Sequence, residues 1–224
     1  MTSTKGARSP KTANAAIATE KIRMKVRRTR LENSEETRKA LFDSAFRVVA
    51  EDGYADASID KIATGAGVAK GTFYNYFETR QDLFDQLLPH LGGKLLDYIR
   101  MSMNENLTGI AREKRRIEAY FEYCRKTPGF LRILNEAEVF APKAYHQHFK
   151  LFYQGYLRSL ERSVARKEIT AFGQDELGVV VFMLLGMRTY LDMMFQYGYV
   201  DRSKQQIAKV LETYAKFVDR ALFR

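Results

Sequence analysis

Apolar positions recur at helical spacing along most of this chain, and no stretch alternates strongly as a half-buried strand would. Leu41, Ala45, Val48 and Val49 form one stripe, joined by Phe42 and Phe46, and Gly53 closes it, which predicts a helix over 34–52. Ser34 with Thr37, Glu35 and Glu36 supplies a cap and negative charge at the positive end of that helix. A shorter stripe, Ile59, Ile62 and Ala63, follows Ser58, whose hydroxyl can accept an orphaned N–H at the helix start. Gly65 and Gly67 end it, and Gly67 can take the positive φ of a tight turn. Val68, Phe73 and Phe77 form the next stripe and leave Lys70, Gly71, Thr72, Tyr74, Asn75 and Tyr76 on the other face. A short helix, a glycine turn and a second helix with a polar outward face is the pattern of a helix-turn-helix.

The rest also reads as helix. A segment from Arg80 to about Asn106 is predicted to bend or break at Pro89 and Gly92–Gly93. Helices over 108–126, 129–140 and 143–166 follow, separated by the Thr127-Pro128-Gly129 and Ala141-Pro142 breaks. Asp175 is placed as the cap of a strongly apolar helix ending at Gln196, and Asp201 as the cap of a last helix ending near Leu222. The fold class is all-α with about nine helices: a basic arm over 1–33, a helix-turn-helix domain over 34–80 and a helical body over 81–224.

Charge changes the picture. The net +10 is uneven: residues 1–30 set nine Lys/Arg against Glu20 alone, whereas residues 31–90 set six against eleven acids. The arm points to an anionic partner, and the helix-turn-helix does not. Six of its acids (Glu32, Glu35, Glu36, Asp43, Glu51, Asp52) lie on the first helix or its ends, where they can face away from DNA. Lys21 to Arg30 reads as a solvated tail, as a segment lying on phosphates or in a minor groove, or as a presequence. It lacks the apolar core of a secretory signal. One cysteine, Cys124, excludes an internal disulfide and fits a reducing cytoplasm.

Other chemistry is sparse. Gly65 to Gly71 misses the dinucleotide fingerprint by one position and follows no strand, and Lys70-Gly71-Thr72 inverts the phosphate-loop order. His146 and His148 stand two apart on a helix, about 200° around, and do not converge with Glu136 and Glu138 on a metal. No metal, cofactor or nucleophile–base pair is expected, and no enzyme. Leu177 to Tyr197 has the length of a membrane span. It carries Arg188 and Asp192, however, each costing roughly 2.5–3.5 kcal/mol at a bilayer centre, so a helix buried in a soluble protein fits better. Arg188 and Asp192, one turn apart, are expected to pair. With Ile207, Val210, Leu211, Tyr214, Phe217 and Val218 of the last helix, this helix can build a two-fold four-helix contact or fill the monomer core.

From Thr37 to about Leu88 the chain resembles the DNA-binding domain of TetR/AcrR-family transcriptional regulators, and KGTFYNYFETRQDLF is similar to the family's recognition helix and its exit. The resemblance implies a homodimeric regulator, acting as a repressor on double-stranded DNA through a partly palindromic operator. By the same resemblance Thr37 and Ser58 match positions that touch the backbone, and Tyr74 and Tyr76 match phosphate-binding aromatics. Lys70 can reach a guanine edge or phosphate, Gly71 admits the backbone, Thr72 suits a thymine methyl and Asn75 an adenine edge. Arg80 stands for the family's usual lysine, and Ala69 departs from a usual capping serine. Singly, Tyr74 and Tyr76 can cover core and Lys70 can be a solvated charge. The family also implies an inducer cavity for a lipophilic effector in the body, for which Phe121, Phe149, Tyr153, Met183, Met187, Arg188 and Tyr190 are the candidate walls. Such a set is more often plain core than pocket.

Overall fold

The structure is a computed structural model and describes residues 32–104 and 106–223. The anticipated basic arm, apart from its last two positions, lies outside the described residues. Helix α1 spans 32–52. Then come α2 (Ile59–Gly65), α3 (Lys70–Phe73), α4 (Arg80–Met101), α5 (Gly109–Lys126), α6 (Phe130–Phe140), α7 (Pro142–Ala165), α8 (Leu177–Gln196) and α9 (Lys204–Val218), which runs into a π-helical turn, Asp219–Phe223. Among the described residues there is no strand.

The first three helices close on the predicted stripes. Leu41, Phe42, Ala45 and Val49 of α1 are buried, as are Ile62, Ala63, Phe73 and Phe77. Ser44 donates to the Ile62 carbonyl at 2.8 Å, and Arg47 to that of Gly65 at 2.8 Å, so α1 holds the end of α2. A Cβ at Gly65 would stand 2.4 Å from the Ser44 hydroxyl, which is why α2 ends on a residue without one. Gly67 takes the expected positive φ, 70°.

Helix α4 belongs to both parts. It starts at Thr79, whose hydroxyl accepts from the Asp82 N–H at 3.0 Å, and runs unbroken through Pro89. The interruption expected there does not occur. Leu87, Leu88, Leu91 and Leu95, buried on both sides of the proline, hold the helix through the lost hydrogen bond. Gly92 serves packing instead: a Cβ there would meet Nδ1 of His148 on α7 at 2.5 Å. In the body α7 lies on α4, α8 on α7, and α9 on α5.

Three caps differ from expectation. Ser34 lies inside α1, which already includes residue 32. The N-cap of α8 is Glu176, not Asp175, and makes no side-chain capping bond. Ser203 caps α9 by accepting from the Gln206 N–H at 3.3 Å, while Asp201 accepts the N–H of Ser203 and so braces the cap itself. Arg188 and Asp192 do not pair either. The Arg188 guanidinium lies between the rings of Tyr120 and Phe152, at 4.5 and 4.9 Å, and Asp192 faces Arg202 instead. Both are buried, so α8, although long and apolar enough to span a membrane, carries two buried charges inside the fold.

The head is tied to the body through α6 as well as α4. Arg132 donates to the carbonyls of Ala50 (3.1 Å) and Glu51 (2.7 Å) at the end of α1, and Glu136 accepts the N–H of Tyr54 at 2.9 Å. Arg38 on α1 reaches Gln86 on α4 at 2.6 Å, and Lys94 reaches Asp43 at 3.0 Å.

Candidate nucleic-acid interface

The reading surface begins where Ser58 closes the start of α2 by accepting the Lys61 N–H at 3.2 Å. Its hydroxyl hydrogen is still able to donate outward. Val68 and the fully buried Phe73 and Phe77 anchor α3, so the residues between them turn away from the core. Helix α3 is a single turn, and Asn75 N–H and Tyr76 N–H continue it by donating to the carbonyls of Thr72 (3.1 Å) and Phe73 (3.0 Å). Ala69 precedes it without a side-chain cap, leaving the first N–H groups of α3 to solvent or to a ligand.

On that turn Lys70, Gly71, Tyr74 and Asn75 are exposed, and Thr72 is half-buried. A Cβ on Gly71 would meet nothing within 4 Å, so the backbone there is open to close approach. Lys70 hydrogen-bonds Asp60 of α2 at 2.9 Å, and that bond raises the ammonium's pKa. A pair so exposed is weak and salt-screened, so the ammonium can exchange Asp60 for a phosphate. Tyr74 rests edge-on against Phe73 with its centroid 5.6 Å away, and Tyr76 is half-buried against the core.

Other anticipated contacts are occupied within the fold. Thr37 donates to the Asn33 carbonyl at 2.9 Å. Arg80 donates to the carbonyls of Ala55 (3.3 Å) and Ala57 (3.2 Å) and covers the Phe84 ring, bracing the loop before α2. The acid excess of the head is partly answered in place: Asp43 pairs with Lys94, Asp52 with Lys61 and Asp60 with Lys70. Nothing in the sequence spacing signals the Asp60 partner.

The anticipated ligand walls do not meet around one cavity. Met187 and Tyr190 line an open groove of about 680 Å³ between α8 and α9, with Leu191, Met194, Val210 and Phe217. Tyr153 lies tilted against the exposed Phe182, Phe149 lies against Tyr145, and Met183 is exposed. Phe121 is buried beside Phe195, and Arg188 is enclosed by rings. Helical geometry gives the reason, since positions 183, 187 and 190 share an outer face of α8 and position 188 points inward.

Residues 41–87 match the family model of bacterial regulatory proteins, tetR family. The match shows a tetR-family domain in the head of the chain. Over 74 residues it is 36% identical to the fatty acid metabolism regulator protein of Bacillus subtilis, covering 33% of this chain and 37% of that one. Over 84 residues it is 31% identical to the nucleoid occlusion factor SlmA of Actinobacillus pleuropneumoniae, covering 38% of this chain and 42% of that one. The chain thus spans about two-fifths of the length of these curated relatives. Among solved structures, a TetR-family regulator from Rhodococcus sp. superposes with a TM-score of 0.72 at 14% identity, over 85% of this chain and all of that one. The regulator FadR of Bacillus subtilis in complex with stearoyl-CoA superposes at 0.69 with 18% identity, over 80% of this chain and 96% of that one. At such identities these superpositions establish a TetR-like fold through the body.

Proposed function

We propose that this chain is a dimeric TetR-family transcriptional repressor that inserts α3 of each subunit into successive major grooves of a partly palindromic operator. The observation that carries this reading is the outward face of α3, where Lys70, Gly71, Tyr74 and Asn75 stand exposed over a core closed by Phe73 and Phe77. Lys70 and Tyr74 suit phosphates, Asn75 and the Thr72 methyl suit base edges, and Thr37, Ser58, Tyr76 and Arg80 hold or flank the face. Dimerisation is supported by the outer side of α8 and α9, where Val179, Phe182, Met183, Tyr190 and Phe217 are exposed large hydrophobics. The effector class is lipophilic and acyl-bearing, which the likeness to a regulator solved with stearoyl-CoA favours. The protein acts on DNA in the cytoplasm, and no catalytic step is assigned to it.

The test is selection of bound duplexes from a random library, followed by fluorescence anisotropy on the selected site. A partly palindromic sequence with half-sites about one helical turn apart is expected. Lys70→Ala should weaken binding and lower its salt dependence. No enriched sequence, or full affinity in Lys70→Ala and Tyr76→Phe, would place the reading face elsewhere. Stearoyl-CoA should release the selected DNA, and by linkage DNA should weaken stearoyl-CoA binding by the same factor, typically about 1–3 kcal/mol.

A second reading is a DNA-binding regulator controlled by a protein partner or by oligomerisation. The scattering of the anticipated ligand walls over several surfaces favours it. Unchanged DNA affinity across an acyl-CoA series would favour it over the first.

A further inference from the structure

Two adjoining cavities, of about 340 and 370 Å³, open along the seam where α5, α8 and α9 meet, and both are lined by Arg125, Asp192 and Arg202. Their size is at the lower end of the roughly 300–1,000 Å³ usual for small-molecule sites. Phe121, Phe195, Ile207 and Leu211 make one wall apolar. Asp192 is 1% exposed. Its Oδ1 lies 3.8 Å from Nη2 of Arg202, an ion pair longer than a hydrogen bond, and its Oδ2 has no hydrogen-bond partner. A buried carboxylate oxygen left without a donor is costly in a finished core and is expected where a ligand completes the set.

We propose that this seam binds an amphiphilic anion, with its carboxylate or phosphate head held by Arg202 and Arg125 and its apolar part against Phe121 and Phe195. This deepens the effector reading above, and rests on it only for the consequence at DNA.

The surrounding charges decide the sign of the ligand. On α5, Glu118 and Glu122 are already taken by Arg115, at 3.5 and 3.0 Å, and Glu122 also accepts from Tyr98. On α8, Arg188 is turned into the rings of Tyr120 and Phe152. Arg125 and Lys204 at the mouth form no ion pair among the described residues, and Arg202 has its long ion pair with Asp192 and lies over the Phe195 ring at 5.7 Å. The Cys124 thiol, pushed up to about 12 by burial, stays neutral beside them. A cationic ligand would face these guanidinium and ammonium groups, whereas an anion neutralises them. When the head group takes Arg202, Asp192 takes one proton from solvent and donates its O–H to the head group or to a neighbour. Burial already pushes this carboxyl above its ordinary range, against the pull of Arg202.

The seam also touches the head. Thr127, Pro128 and Gly129 form one lip of the second cavity. Gly129, at φ 93°, lies so close to α1 that a Cβ on it would stand 2.3 Å from the Cβ of Ala50. Three residues further on, Arg132 holds the carbonyls of Ala50 and Glu51. A head group that moves this lip moves the end of α1 with it.

The experiment is calorimetric titration of the full chain with decanoate, decyl phosphate and decyltrimethylammonium, at about pH 6 and about pH 8. Both anions should bind and the cation should not, and decanoate, whose own charge is fixed over this range, should bind more tightly at the lower pH. Arg202→Ala and the exposed-site variant Arg125→Ala should each weaken the anions roughly tenfold or more. Asp192→Asn should keep anion binding and erase the pH dependence seen with decanoate. Binding of the cation that Asp192→Asn abolishes, or anion binding indifferent to both arginine variants, overturns the proposal. Anisotropy with the selected DNA separates the two readings. Anion binding that leaves DNA affinity unchanged keeps the site and removes its effector role. Intact DNA binding with no anion binding removes the site and leaves the effector reading standing. Arg132→Ala should still bind the anion and should release DNA less completely.

Discussion

Two buried carboxylates on this molecule are treated in opposite ways. Glu113 of α5, 3% exposed, is met by Arg116, by the Tyr156 hydroxyl and by the Tyr214 hydroxyl, the last at 2.7 Å. Arg116 in turn donates to Ser159 at 2.7 Å and covers the Tyr156 ring. Asp192 of α8 is buried as deeply, yet has one distant guanidinium and an oxygen with no donor. The first arrangement ties α5, α7 and α9 together and has no vacancy. The second leaves hydrogen-bonding capacity unused beside a cavity. Burial alone therefore does not mark a site here, and the completeness of the partner set does.

Glu113→Ala is the most severe way to break the contrast. It strands Arg116 in the interior and should cost about 3–5 kcal/mol in urea unfolding. His148 comes next, as a buried titratable group of a third kind. Burial, with Arg188 nearby, pushes it down from 6.5 to about 3, so the folded chain holds it neutral. Between those values the unfolded chain binds the extra proton. Its contribution is complete above about pH 6.5 and is lost as the pH falls toward about 3, at up to about 1.4 kcal/mol per pH unit. Stability profiles of the wild type and His148→Gln should converge in slope above pH 6.5 and diverge below it. Tyr214→Phe removes one of several donors to Glu113 and should cost only about 1–2 kcal/mol by the same urea assay. Asp192→Asn should lie within about 1 kcal/mol of wild type, because little is satisfied there to lose. A loss as large as that of Glu113→Ala would erase the distinction.

Local signals made the head legible. The stripes of α1, α2 and α3 and the cap at Ser58 depend on neighbours within a turn or two, and the structure keeps them, whereas Ser34, expected to cap α1, lies inside it. The body was legible as helices and not as partners. The break expected at Pro89 fails because leucines from distant contacts hold α4 together. Arg188 and Asp192, one turn apart, ought to pair by spacing. Tyr120 and Phe152, remote in sequence, take the guanidinium instead. The ligand walls drawn from aromatic and methionine content scatter for the same reason: composition does not say which side of a helix faces which neighbour. The Asp192 seam needs residues from four helices, the turn after α5 and the loop before α9, and no window of sequence contains it.

The bond between Lys70 and Asp60 also bears on how fast and how selectively the head engages a duplex. On the proposed reading, Asp60 would act as a resident decoy for the phosphate, holding the lysine beside α2 until a duplex arrives. Engagement is then a swap of one anion for another, with few side-chain rotamers left to freeze. Random stretches of duplex that offer only a loosely placed phosphate gain little over the decoy, so the head should leave them quickly and linger where the bases also fit.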